Sequence, residues 1–221
     1  MRYKTKLALQ IFIAGSVMLS IILYAGYKYN YNKAIQHELD HTYFSVEKAA
    51  VSIEQRLLEK VKTNQTLSIT PIIVNALKLS NNTFGSLSEK ERNEKIDLQN
   101  EKWISTDDKD DAFIHEYTHN IVANHLKKQQ NNLREEYGEI FLTNKYGTLV
   151  ASTAKLTTFA HEHKYWGQGA FNKGLGCIFF DDRGYDESVD GYVLGIVIPI
   201  KEDNEIIGML KVNLNIIRFN Q

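Results

Sequence analysis

The stretch Gly138-Glu139-Ile140-Phe141-Leu142-Thr143-Asn144-Lys145-Tyr146-Gly147-Thr148-Leu149-Val150-Ala151-Ser152-Thr153 decides how this chain is read. Residues 139–143 and 149–153 are short runs rich in residues that suit a pleated strand, and Asn144-Lys145-Tyr146-Gly147 between them is turn chemistry. Three further β-type runs follow at 177–180, 192–200 and 206–216, the last two separated by Glu202-Asp203-Asn204. A longer connection carrying Trp166, Ala170 and Phe171 separates the second run from the third. Five strands with one long excursion between the second and third predict a single antiparallel sheet.

Upstream of Gly138 the hydrophobic period is helical. From 31 to 66 there is no Pro or Gly, and Ile35, Leu39, Tyr43, Val46, Ala50, Ile53, Leu57 and Val61 recur every three to four residues. That spacing predicts one long amphipathic helix, packed either on its own domain or on the same helix of a second copy. Ala49-Ala50 offer little bulk for a coiled-coil seam, which favours packing within the chain. Thr70-Pro71 starts a short helix through Leu79, and 80–86 reads as a loop. Ser88 and Glu91 have capping-box spacing ahead of Ile96, Leu98 and Trp103, and a further helix is expected over about 110–131. Helices first and an antiparallel sheet afterwards make the fold class α+β, with the folded domain over 67–217.

The first thirty residues set the location. Residues 7–27 are almost unbroken apolar sequence, about the ~20 residues that a helix needs to cross a bilayer. Arg2, Lys4 and Lys6 on the short leading side place residues 1–6 in the cytoplasm and the body of the chain outside, as a single-pass protein of the cytoplasmic membrane. A cleaved signal peptide would have a shorter apolar stretch and a small-residue cleavage site, whereas this one runs into Tyr-Lys-Tyr-Asn. Outside those three cations, 23 basic residues face 27 acidic ones, so no electrostatic footprint of a nucleic-acid binder exists. Cys177 is the only cysteine, which excludes an internal disulfide and cysteine-built zinc fingers.

The 138–153 stretch, Trp166 with Ala170, Tyr185-Asp186-Glu187-Ser188, Ile198-Pro199-Ile200 and Gly208-Met209-Leu210-Lys211-Val212 together resemble the Cache, or PDC, family. Its members are extracytoplasmic sensor domains of bacterial kinases, chemoreceptors and cyclic-dinucleotide enzymes. The resemblance is close over 138–217 and follows only the order of elements before that. It implies a small molecule held between the sheet and the segment crossing it, with no cofactor, no catalytic residue and no metal. The ligand-binding set it implies is Thr153, Phe159, His161, Lys164, Trp166 and Asp186. In the amino-acid-binding branch a Tyr, an Arg, a Trp and an Asp do this work; Phe159 and Lys164 stand for the first two here, while Trp166 and Asp186 match. Lys offers a point charge where Arg offers a planar fork, and with His163 it makes the pocket mouth basic. The expected ligand is an organic anion or an amino-acid-like molecule.

A competing signal is His115-Glu116-Tyr117-Thr118-His119, a literal HExxH, with His125 at the spacing of a third ligand. The extended motif needs a Gly where Val122 stands. On a continuous helix His125 would be rotated roughly 240° from His119, away from any shared metal. A membrane-tethered zinc peptidase is therefore the alternative reading, and a ligand-independent protein-contact module is another.

Overall fold

The computed structural model describes residues 2–108, 111–132, 136–186 and 191–216, with Arg2, Arg183 and Asp186 described by backbone alone. The chain divides into two units, Met1–Arg56 and Leu57–Gln221. Helix α1 spans Arg2–Ser68, so the apolar segment and the amphipathic stretch form one continuous helix. Nothing in Tyr27-Lys28-Tyr29-Asn30-Tyr31 removes a backbone donor or demands a non-helical backbone, so the helix runs through. The first unit is helical and exposed along its described length, and it contains a segment long and apolar enough to cross a membrane. Ser16 and Ser20 fit an apolar helix because their hydroxyls donate to the Phe12 and Ser16 carbonyls, at 2.9 Å each.

The second unit holds the last turns of α1, then α2 (Pro71–Gly85), α3 (Glu89–Ser105), α4 (Ala112–Thr118), α5 (Ile121–Asn132), β1 (Tyr137–Asn144), β2 (Leu149–Ser152), α6 (Tyr165–Phe171), β3 (Phe179–Asp186), β4 (Gly191–Glu202) and β5 (Glu205–Asn215). The strands form one antiparallel sheet in the order β2-β1-β5-β4-β3. This is an α+β, PAS-like arrangement. The β4–β5 hairpin turns at Asp203 and Asn204, both at positive φ (49° and 68°), the backbone of a two-residue turn that matches strand twist. The β1–β2 turn is held by the Asn144 carboxamide, whose oxygen accepts from the Tyr146 and Thr148 amides at 2.9 and 3.0 Å. Gly147 there has φ 74°, and a Cβ on it would lie 2.6 Å from the Glu162 amide nitrogen, so only Gly lets the turn meet the 161–162 segment.

Alternation along the strands sends two different sets of side chains to the two faces. Ile140, Leu142, Ile196, Ile198, Ile200, Leu210, Val212 and Leu214 pack with Val61 and Leu67 of α1, Ile73 and Leu77 of α2, and Val122, Ala123 and Leu126 of α5. The other face carries Phe141 and Val197 against Trp103 of α3, Ile114 of α4, Trp166 of α6, and Leu156 and Phe159. Trp103 is anchored by its indole N–H, which donates to the Leu156 carbonyl at 2.7 Å.

Three elements differ from the sequence reading. The segment 80–86 is mostly the last turn of α2 rather than a loop. Its polar side chains are used by the sheet: Asn81 donates to the Ile207 carbonyl at 2.7 Å and accepts from the Lys145 amide at 3.1 Å. The single helix expected over 110–131 is two, because Asn120 caps α5 by accepting from the Ala123 amide at 2.8 Å while donating to the Val150 carbonyl at 3.0 Å. The third strand runs well past the expected 177–180 to Asp186, through a register irregularity between Asp181 and Gly184, so Asp186 ends a strand opposite Gly191.

Candidate functional site

Strand register builds a polar row across the sheet face that α6 covers. Glu139 of β1 pairs with Asn213 of β5, Asn213 with Gly195 of β4, and Gly195 with Asp181 of β3. The adjacent row is Phe141, Lys211, Val197 and Phe179. Lys211 reaches across to Asp181, its ammonium 2.7 Å from Oδ2, with both side chains only 5% exposed. The Asn213 carboxamide donates to Glu139 Oε1 at 3.2 Å. Gly195 makes the reach feasible, since a Cβ there would lie 2.9 Å from Lys211 Cε and 3.0 Å from Asp181 Cβ.

Over this floor lie aromatic rings. Trp166 stands edge-on to Phe141, with centroids 5.7 Å apart, and the Lys211 ammonium is 4.7 Å from the Trp166 ring. The His161 imidazole stacks on Phe141 at 5.1 Å and lies 5.5 Å from Trp166. The backbone of His161 is fixed at both ends, its amide donating to the Gly147 carbonyl at 2.8 Å and its carbonyl accepting from the Lys164 amide at 3.0 Å. Burial pushes the imidazole pKa down to about 3, and the cations of Lys164 and Lys211 act in the same direction. A backbone interaction with Thr158 opposes this, but among the described residues neither ring nitrogen has a partner within hydrogen-bonding geometry. His161 is thus a neutral imidazole at physiological pH.

Floor and rings enclose a cavity of about 280 Å³, lined by Glu139, Phe141, His161, Lys164, Trp166, Asp181, Tyr185 and Lys211, among others. That volume holds a small molecule, and the lining offers aromatic surface with charged groups of both signs.

Of the residues expected from sequence, His161, Lys164 and Trp166 come together at this cavity. Phe159 is fully buried beside it, its ring 4.9 Å from Tyr117 and 5.9 Å from Trp103, while the Asn100 carboxamide accepts from its amide at 3.0 Å. Thr153 lies at the β1–β2 edge, where its hydroxyl accepts from the Ile140 amide at 3.1 Å. The side chain of Asp186 lies outside the described residues. Sequence reasoning missed Lys211, Asp181, Glu139 and Phe141. The available signal was the alternation in β5, whose even positions from Ile206 to Leu214 are apolar and thereby assign Lys211 and Asn213 to the opposite face.

The HExxH residues straddle a helix end: α4 stops at Thr118, His119 follows it, and His125 belongs to α5. The His115 and His119 rings stack at 3.9 Å. Among the described residues no group of three or more His, Cys, Asp and Glu is placed to hold a metal ion.

No family model matches the sequence, and no curated protein does. Similar solved structures exist. The V. cholerae histidine kinase DctB sensor domain is 12% identical with a TM-score of 0.44, the match covering 78% of this chain and 55% of that one. The ligand-binding domain of the Campylobacter jejuni chemoreceptor Tlp3, in complex with L-valine, is 20% identical with a TM-score of 0.34, over 72% of this chain and 61% of that one. The Tlp3 sensory domain with isoleucine bound gives 21%, 0.35, 72% and 61% in the same order. These neighbours are Cache, or PDC-type, extracytoplasmic sensor domains. The chain spans less than two thirds of the length of each.

Proposed function

We propose that this chain is the extracytoplasmic small-molecule-sensing part of a membrane-anchored bacterial signal transducer, and that its ligand is a small organic anion or an amino-acid-like molecule. The observation that carries the reading is the cavity between the sheet and α6, with charged groups set among Phe141, Trp166 and Tyr185. A soluble core places charges away from its interior unless they are paired, and a buried ion pair seldom repays its desolvation in stability alone. A ligand carboxylate is drawn to Lys164, which is half-buried at the cavity and has the sign to hold it. The apolar part of α1 is the membrane anchor, with the N-terminus in the cytoplasm and Leu57 onward outside. The amphipathic stretch of α1, exposed at Ile35, Leu39, Tyr43 and Val46, is where a second copy docks. Ligand binding shifts the population of two arrangements by no more than its difference in affinity for them.

The test is thermal unfolding of the full chain in detergent against a panel of carboxylates, amino acids, amines and zinc. A ligand at 100 times its dissociation constant adds about 2.7 kcal/mol of stability. Stabilisation by one carboxylate or amino-acid class, lost in Lys164→Ala, is the expected result. Stabilisation by zinc alone would overturn it and turn attention to His115 and His119.

A further inference from the structure

A second cavity, of about 330 Å³, lies on the far side of the His161 and Trp166 rings. Trp166 and His161 line both spaces and so form the partition between them. The second cavity is built differently from the first. Its apolar walls are Trp166, Phe171 and Met209, beside the polar Thr143, Asn144 and Gln168 and without the buried carboxylates of the sheet floor, and its rim carries Lys145, Glu162 and His163. All three rim residues are exposed, so their charged or polar ends stand in water beside that apolar wall.

The rim rests on a fixed frame. The Asn144 side chain locks the turn that bears Lys145, and the His161 amide ties the 161–163 segment to Gly147 across it. The opening therefore needs no ordering of the backbone when something enters, which lowers the cost of binding. At the edge, Lys145 is the fixed positive charge and Glu162 the negative one. One carboxylate can sit at Lys145, with His163 as a second hydrogen-bonding partner, while a second carboxylate would meet Glu162.

We infer that this cavity is a separate binding site for a small monocarboxylate with an aromatic or branched apolar body, the body against Trp166, Phe171 and Met209 and the acid group at Lys145. The site is independent of whether the first cavity takes the ligand proposed above. Because the two share the His161–Trp166 partition, a ligand in one cavity that shifts those rings changes affinity in the other, and the second ligand changes affinity in the first by the same factor.

Phenylacetate is the probe, titrated into the full chain labelled with 5-fluorotryptophan and followed by fluorine NMR. The chain has two tryptophans, and Trp166→Phe assigns the resonances. The expected result is a saturable shift of the Trp166 resonance, with Trp103 unmoved as the report of an intact core. Lys145→Glu, an exposed change that spares the core, weakens binding by about tenfold or more. Lys164→Ala, which touches the first cavity but not the second, leaves it within about twofold. The inference is overturned if no saturable shift occurs by about 10 mM, the weakest affinity that would amount to a site. It is equally overturned if Lys164→Ala weakens binding while Lys145→Glu does not, since the probe then sits in the first cavity.

Discussion

The two faces of the sheet are made by the same strands and do opposite things. Toward α1, α2 and α5 the buried strand residues in the cluster are aliphatic apart from Tyr137, whose hydroxyl accepts from the Asn64 carboxamide, and Leu77, Leu126, Ile196 and Leu210 are fully enclosed. Each such side chain contributes about 1.5–3 kcal/mol by leaving water, with no partner to find. Toward α3, α4 and α6 the same strands bury Glu139, Asp181, Lys211 and Asn213 beneath aromatic rings and leave two cavities. One face holds the domain together; the other accepts desolvation costs and imperfect filling. A fold selected only for stability has no reason to treat its two faces so differently.

The comparison predicts that charge deletion on the polar face costs as much as a large deletion in the core, for a different reason. Lys211→Met removes the ammonium that faces the Asp181 carboxylate in a site 5% exposed and is expected to lower unfolding free energy by about 3–5 kcal/mol in urea titrations. Adding Asp181→Leu to it should restore most of that loss, because two well-packed apolar residues need no pairing. A double variant as unstable as the single one would mean that the pair is structural in itself.

The next effect is on pH. The folded His161 pKa, about 3, lies below its unfolded value of 6.5, so between those values the unfolded chain binds a proton that the folded chain does not. Its contribution is intact above pH 6.5 and is lost as pH falls, by about 1.4 kcal/mol per unit across the middle of that window. His161→Phe should flatten the acid arm of a stability profile between pH 6 and pH 4, roughly by that slope. An unchanged slope would show that the imidazole is not held neutral. The smallest expected effect is Gly195→Ala, about 1–3 kcal/mol, because its methyl group would occupy the path of Lys211. The change should also weaken any ligand of the first cavity, which separates it from a simple packing defect.

The sequence made the apolar face easy to read and the polar face hard. Alternation placed the strands near their observed positions, and Asn144-Lys145-Tyr146-Gly147 and Asp203-Asn204 announced their turns through residues that tolerate the required backbone. Asp181-Asp182-Arg183-Gly184, by contrast, has turn chemistry and hid a bulged continuation of β3, so Asp181 was out of view as a pocket residue. Lys211 is a charged residue in an apolar strand, and its inward direction has meaning only once α6 is known to cover that face. The Asn81-Asn82 pair read as loop because its hydrogen-bonding partner at Ile207 is remote in sequence. What escaped the sequence was set by long-range register, which composition and periodicity do not carry.

On the proposed function, the polar face holds a small molecule between Trp166 and the Lys211–Asp181 floor. The most direct measurement is a crystal structure of the chain grown with the carboxylate or amino acid that most stabilises it. Ligand density is expected within the first cavity, in contact with Trp166 and with its carboxylate toward Lys164. Density at any other surface, with only water over Lys211, would contradict it.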